Sequence, residues 1–229
     1  MYSKNLLHLL HLCDSALPIG GFSHSGGLET YVQMGIVNSM KKAKEFVTQQ
    51  LSQNIFYTDA ALVSLAYDAG CNNDFRKILE LDEACNAVKL PMETRLASNK
   101  LGTRLLKIFE EYGNSSFVSK YSKAISAQKA SGHYCIAFGL IAQALFIDKQ
   151  AALSGFYYNA AAGFVTNSVK LIPLGQKDGQ HILMSLFPLI DELSLQTLAP
   201  DKNKIGFSCT GFDIRCMQHE RLYSRLYMS

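Results

Sequence analysis

Residues 18–29, Pro18-Ile19-Gly20-Gly21-Phe22-Ser23-His24-Ser25-Gly26-Gly27-Leu28-Glu29, gather four glycines, two serines and a histidine in one short stretch. Glycine lets a backbone turn sharply or come close to a ligand, so an active site is sought here first. The stretch meets no enzymatic template. A phosphate-binding loop ends in Gly-Lys-Ser/Thr and this one has no lysine, and a dinucleotide fingerprint follows a strand, which is missing here. A nucleophile elbow needs Gly-x-Ser-x-Gly, whereas Gly21-Phe22-Ser23-His24 continues into Ser25. Ser23 beside His24 therefore reads more simply as a turn with a helix cap. A second cluster lies near the C-terminus, where Cys209, Cys216, His219 and Glu220 are all residue types that bind divalent metals. Their C-x6-C-x2-H spacing fits no standard zinc module, and two reduced thiols beside a partner-facing histidine are the simpler reading. Cys209 is the thiolate we would assign to a metal, as part of a site completed by a second subunit. His133, after Gly132, stands where a helix begins and reads as a cap or a solvent-facing residue. The pairs Glu110-Glu111 and Asp82-Glu83 read as solvated helix faces rather than acid–base partners.

The elements that would hold these residues are helical. From Glu93 to Tyr112, Ala97, Leu101, Leu105 and Phe109 recur four apart while Arg95, Lys100, Arg104 and Lys107 point elsewhere, which predicts an amphipathic helix. From Gln180 to Leu198, Ile182, Leu186, Leu189, Ile190 and Leu193 form a second stripe, widened by Leu183 and Met184, with a kink expected at Pro188. Phe156 to Val169 carries Ala160, Ala161, Ala162 and Gly163, small residues that would let another helix approach closely. Helical patterns also cover Asn5–Cys13, Met40–Ser52, Asp59–Ala69, Phe75–Lys89, Phe117–Ala127 and Tyr134–Phe146. Only Val169–Leu174 and Ile205–Phe212 look extended, and neither has a matching strand. The expected fold is all-α, a single globular helical domain of about nine or ten helices spanning residues 1–229, with residues 200–229 as a C-terminal partner-binding tail.

Composition narrows the function. The 229 residues carry 22 Lys and Arg against 19 Asp and Glu, a net charge of +3, with basic residues spread along the chain, so neither nucleic acid nor another polyanion is indicated. Hydrophobic residues make up 48% and charged ones 18%, less than the roughly 25% usual in soluble domains, so a large core comes with a weakly charged surface. Cysteines at 13, 71, 85, 135, 209 and 216 show no C-x-x-C pair and read as reduced thiols. The start reads as a helix of the mature protein rather than a signal peptide, since His8 and His11 interrupt its apolar run. Gln150–Val169 is uncharged and long enough to span a bilayer, but its Asn and Ser residues favour a buried helix. A cytoplasmic protein that does not enter the membrane is expected. The closing segment, His219-Glu220-Arg221-Leu222-Tyr223-Ser224-Arg225-Leu226-Tyr227-Met228-Ser229, is rich in the Tyr and Arg that interfaces favour. An amphipathic helix packed on its own domain explains that composition equally well.

Four ordered blocks carry a family resemblance: Asp14 to Glu29, Glu93-Thr94-Arg95-Leu96-Ala97-Ser98-Asn99-Lys100-Leu101-Gly102, Val169-Lys170-Leu171-Ile172-Pro173-Leu174-Gly175-Gln176 with Gly179-Gln180, and the closing His-Glu to Tyr-Ser-Arg-Leu. With these the chain resembles the UreF family of urease accessory proteins. The resemblance implies an all-helical homodimer, not an enzyme, that serves nickel delivery to the urease apoprotein. It would join accessory protein D or H to the GTPase accessory protein G and modulate hydrolysis by G. No tightly bound cofactor is implied, only nickel in transit. By match to the family blocks, Lys170 is a partner-facing charge, His219, Glu220, Tyr223, Arg225, Leu226 and Tyr227 belong to a tail ordered on binding D or H, and Phe22 lies in a turn beside the recruitment surface. Tyr227-Met228 stands where the family often has Phe-Arg, so the resemblance does not carry a cationic contact to that position. Two other readings compete: a helical enzyme using Cys135, His133 or Ser23 in a pocket, and a stand-alone nickel-binding chaperone using Cys209 and neighbouring histidines.

Overall fold

Every side chain from Cys135 to Ala142 is buried, so the helix they form shows no face to water and must be enclosed by others. The computed structural model describes residues 2–21, 26–110, 116–207 and 209–222. Its helices are α1 (Tyr2–Leu12), α2 (Leu28–Gln33), α3 (Met40–Gln49), α4 (Ala61–Cys71), α5 (Phe75–Val88), α6 (Met92–Phe109), α7 (Ser116–Ser126), α8 (Tyr134–Ala144), α9 (Lys149–Leu171), α10 (Gln176–Ser185), α11 (Phe187–Gln196) and α12 (Thr210–His219). Among the described residues no strand occurs, as the sequence predicts. Nor is any helix there long and apolar enough to cross a membrane.

The enclosed helix is α8, clasped by α4 on one side and α6 on the other. Two glycines allow this closeness. A Cβ on Gly139 would stand 2.5 Å from the Val63 carbonyl oxygen, and one on Gly102 would stand 2.1 Å from that of Gly132. Both contacts are with backbone that cannot give way. The start of α8 is fixed by a buried carboxylate. Asp82 on α5 accepts the backbone N–H groups of Ser131 at 2.6 Å, Gly132 at 3.0 Å and His133 at 3.3 Å, and the hydroxyl of Tyr121 on α7. Asp82 is 2% exposed, so the solvated face expected for Asp82-Glu83 is corrected: Asp82 clamps three helices together. Other helix starts follow local signals, with Ser39, Asp74 and Asp148 each accepting the N–H three residues on.

Four further expectations change. The gap between the helices expected at 40–52 and 59–69 does not exist, because Gln50–Ala60 continues α3 into α4 as a π-helix. Asn54, Ile55 and Asp59 of this segment line one wall of a cleft. The helix predicted over 180–198 is broken rather than kinked, since Pro188 falls in the first turn of α11 and cannot continue α10. Val169 to Leu171 remains helical and only the following turn is extended. Ile205–Phe212 turns helical at Thr210, because Phe212, Cys216 and His219, at helical spacing, all find burial. The 200–229 segment is therefore packed against the rest of the fold as far as Leu222.

Candidate functional site

The described part of the N-terminal block, residues 14–21 and 26–29, wraps over α6 and α9 and receives α12. Gly20, Gly26 and Gly27 have φ of +88°, +56° and +77°, values that favour glycine. At Gly27 the missing side chain also matters, because a Cβ would come 2.7 Å from Cys216 Sγ and 3.2 Å from the Phe212 ring. The glycine therefore serves the seating of α12. Thr30 Oγ1 then donates to the Arg215 carbonyl at 3.1 Å, and the Arg215 guanidinium stands 5.9 Å from the centre of the Tyr31 ring. At the far end of α12 His219, 0% exposed, lies between two carboxylates. Its Nε2 is 3.2 Å from Glu29 Oε2 and its Nδ1 3.0 Å from Glu93 Oε2. Each ring nitrogen thus faces a carboxyl oxygen, and the ring ties the two acidic residues to α12. This bridge joins α2, α6 and α12, hence the first, second and last of the sequence blocks.

Beside the bridge a cleft of about 340 Å³ opens between the N-terminal block, the π-helix, α6 and α9. Ala160, Ala162 and Gly163 line it, so these small residues make room for the cleft instead of admitting a helix. Its charged pair is Asp59 and Lys89, 2.8 Å apart with side chains 12% and 10% exposed. Burial alone would raise the Asp59 carboxyl, but the charge and hydrogen bond of Lys89, with the Thr58 hydroxyl, hold it below the usual carboxylate range. Burial would likewise lower the Lys89 ammonium, and the Asp59 charge holds it above its usual range.

Lys170 is exposed in the last turn of α9, where a cation complements the helix dipole. Glu220 is half-buried and ends α12. His219, expected at a partner surface, is inside the fold. Cys209, half-buried, precedes α12, and burial pushes its thiol up, with the Asp213 charge adding to the effect. Cys209 and His219 sit at opposite ends of α12, about 15 Å apart at 1.5 Å per residue. Among the described residues no three His, Cys, Asp or Glu side chains are grouped to hold a metal ion. His133 stands at the N-cap position of α8 without a side-chain capping bond and is fully buried rather than solvent-facing, and Cys135 is buried with it, so neither faces an open pocket. Phe22, Ser23, Tyr223, Arg225, Leu226 and Tyr227 lie outside the described residues.

Sequence reasoning misses Glu29 and Glu93 as partners of His219, although both stand in the quoted blocks. Two carboxylates and a histidine repeated across such blocks are a usable signal for a buried bridge. Asp59 and Lys89, thirty residues apart on different elements, leave no such trace.

A family model described as UreF matches residues 37–187. The chain is 50% identical over 221 residues to the urease accessory protein UreF of Actinobacillus pleuropneumoniae serotype 5b, covering 96% of this chain and 97% of that one. To the protein of that name from Haemophilus influenzae it is 48% identical, covering 96% and 94%. To that from a Bacillus species, strain TB-90, it is 35% identical over 227 residues, covering 99% and 100%.

Proposed function

The chain belongs to the UreF family of urease accessory proteins, and from that premise we propose that it is a scaffold for nickel delivery during urease maturation. It serves the assembly of urease and is not itself an enzyme. As a homodimer it joins accessory protein D or H to the GTPase accessory protein G and modulates nucleotide hydrolysis by G. Nickel is the cargo of that assembly, passed on to the urease apoprotein.

The observation that supports this reading is the seating of α12. His219, Arg215 and Cys216 hold the helix against the N-terminal block, so Leu222, the last described residue, stands at a defined place. A segment that begins at a fixed point loses less conformational freedom on docking than one that begins free. Lys170, at the end of a 23-residue helix, is offered as the charge that acts on the GTPase. Light scattering on size exclusion tests the scheme, with the protein alone, then mixed with D or H, then with G. A dimer that takes up both partners in turn is expected. A monomer that ignores both overturns the scaffold reading.

A further inference from the structure

Cys85 on α5 and Cys135 on α8 hold their sulfurs 3.5 Å apart, and both residues are 0% exposed. The two thiols come from helices fifty residues apart in sequence and belong to no part of the site described above. Closing the gap to a bond of about 2.05 Å asks for an approach of about 1.5 Å between side chains already in contact.

We propose that Cys85 and Cys135 form a peroxide-sensitive dithiol that closes to an intramolecular disulfide and ties α5 to α8. The two thiols are unequal. The hydrogen bond from Cys135 lowers the Cys85 thiol against the effect of its burial, and His133 and Lys89 act in the same direction. Burial and the charge of its neighbour push the Cys135 thiol up. Cys85 is thus the nucleophile and Cys135 the resolving thiol. The cleft supplies the approach. Lys89, Ser98 and Tyr134 line its wall, and Ser98 Oγ lies 3.2 Å from His133 Nδ1, so the cleft ends close to the thiols without exposing them. With both sulfurs buried, the oxidant that suits them is small and uncharged, hydrogen peroxide or a short alkyl hydroperoxide, and protein disulfides are shut out.

The Cys85 thiolate attacks one peroxide oxygen, forming an S–O bond as the O–O bond breaks. The departing hydroxide takes a proton and leaves as water. Cys135 sulfur then attacks Cys85 sulfur, forming the S–S bond while the S–O bond breaks. The hydroxyl leaves as a second water with the Cys135 proton. Two thiols are oxidised and one peroxide is reduced to two waters. This inference does not rest on the scaffold reading.

Wild-type protein exposed to hydrogen peroxide, alkylated, denatured and digested tests it by mass spectrometry. A linked peptide pair containing Cys85 and Cys135 is expected, reversed by dithiothreitol, together with a rise in Tm of about 5–10 °C before reduction. Cys135→Ser is expected to stop at a Cys85 sulfenic acid that dimedone labels. The proposal is overturned if Cys85 and Cys135 both stay free at a peroxide dose that oxidises the exposed Cys71, or if Cys85 passes to a sulfinic acid without forming the link. Should Cys135→Ser not fold, the wild-type peptide map alone decides.

Discussion

Lys89 Nζ lies 2.8 Å from Asp59 Oδ2 at the wall of the cleft, each side chain almost wholly withdrawn from water. The Asp59 carboxyl is held below its ordinary value of 3.8, so its contribution to stability is present above that pH and is lost as pH falls through the lower folded value. Lys89 is held above its ordinary 10.5, so its contribution is complete below that pH and is lost as pH rises beyond it. Stability from this pair is therefore level between about pH 4 and pH 10 and declines on both sides. Lys89→Met leaves the carboxylate buried alone and costs about 3–5 kcal/mol, read from urea unfolding at pH 7. Adding Asp59→Asn to that variant recovers a good part of the loss.

Asp82→Asn keeps the shape of the carboxyl group and removes its charge. The amide must turn an oxygen toward some of the three backbone N–H groups that Asp82 now accepts, and its own N–H₂ meets donors elsewhere. A loss of about 2–3 kcal/mol is expected with little change in the denaturant slope. Amide exchange at residues 131–135 should speed up first, because that segment is what the carboxylate holds.

Two glycine substitutions separate close packing from open space. Gly102→Ala puts a methyl group against the Gly132 carbonyl and should cost about 3 kcal/mol or prevent folding. Gly163→Ala meets nothing within 4 Å and replaces a helical glycine, so it should stabilise by about 0.5–1 kcal/mol while narrowing the cleft. Thermal melts of the pair settle both signs at once.

His219→Ala removes the imidazole that bridges Glu29, 2% exposed, and Glu93. A cost of about 3 kcal/mol is expected, and the change should shrink when Glu29→Gln is present as well. Exchange of the α12 amides should rise toward that of a detached helix. In the scaffold scheme the same variant loses accessory protein D or H although the α8 core stays folded, and retention of that partner at wild-type affinity would separate α12 from recruitment.

Lys170→Ala changes an exposed residue at a helix end, so the fold should alter by no more than about 0.5 kcal/mol. The effect is expected in the assembled complex, as an altered rate of GTP hydrolysis by protein G. Unaltered hydrolysis together with unaltered urease activation would take Lys170 out of the scheme.

Much of this architecture is legible in the chain because burial follows spacing. Ala97, Leu105 and Phe109 face inward as their intervals predict, and so do Ile182, Leu186, Ile190 and Leu193. What spacing cannot convey is a polar side chain whose partners lie far along the sequence. Asp82 looks like any acidic residue on a helix, since the amides it binds begin forty-nine residues later. The π-helix escapes notice for a different reason: the residue types of Gln50–Ala60 carry no mark that separates π from α winding. α12 was obscured by its polar composition, in which Phe212, Cys216 and His219 are the few side chains that turn inward.

The contact between Glu29 and His219 spans 190 positions of a 229-residue chain, which sets an order on events during synthesis. Glu29 leaves the ribosome 190 residues ahead of His219. Until His219 follows, the start of α2 has no histidine to receive its carboxylate, and the surface beneath Gly27 stays wet. This corner therefore closes only after His219 has been made, so a chain stopped before that residue reveals itself by an N-terminal block that has not closed.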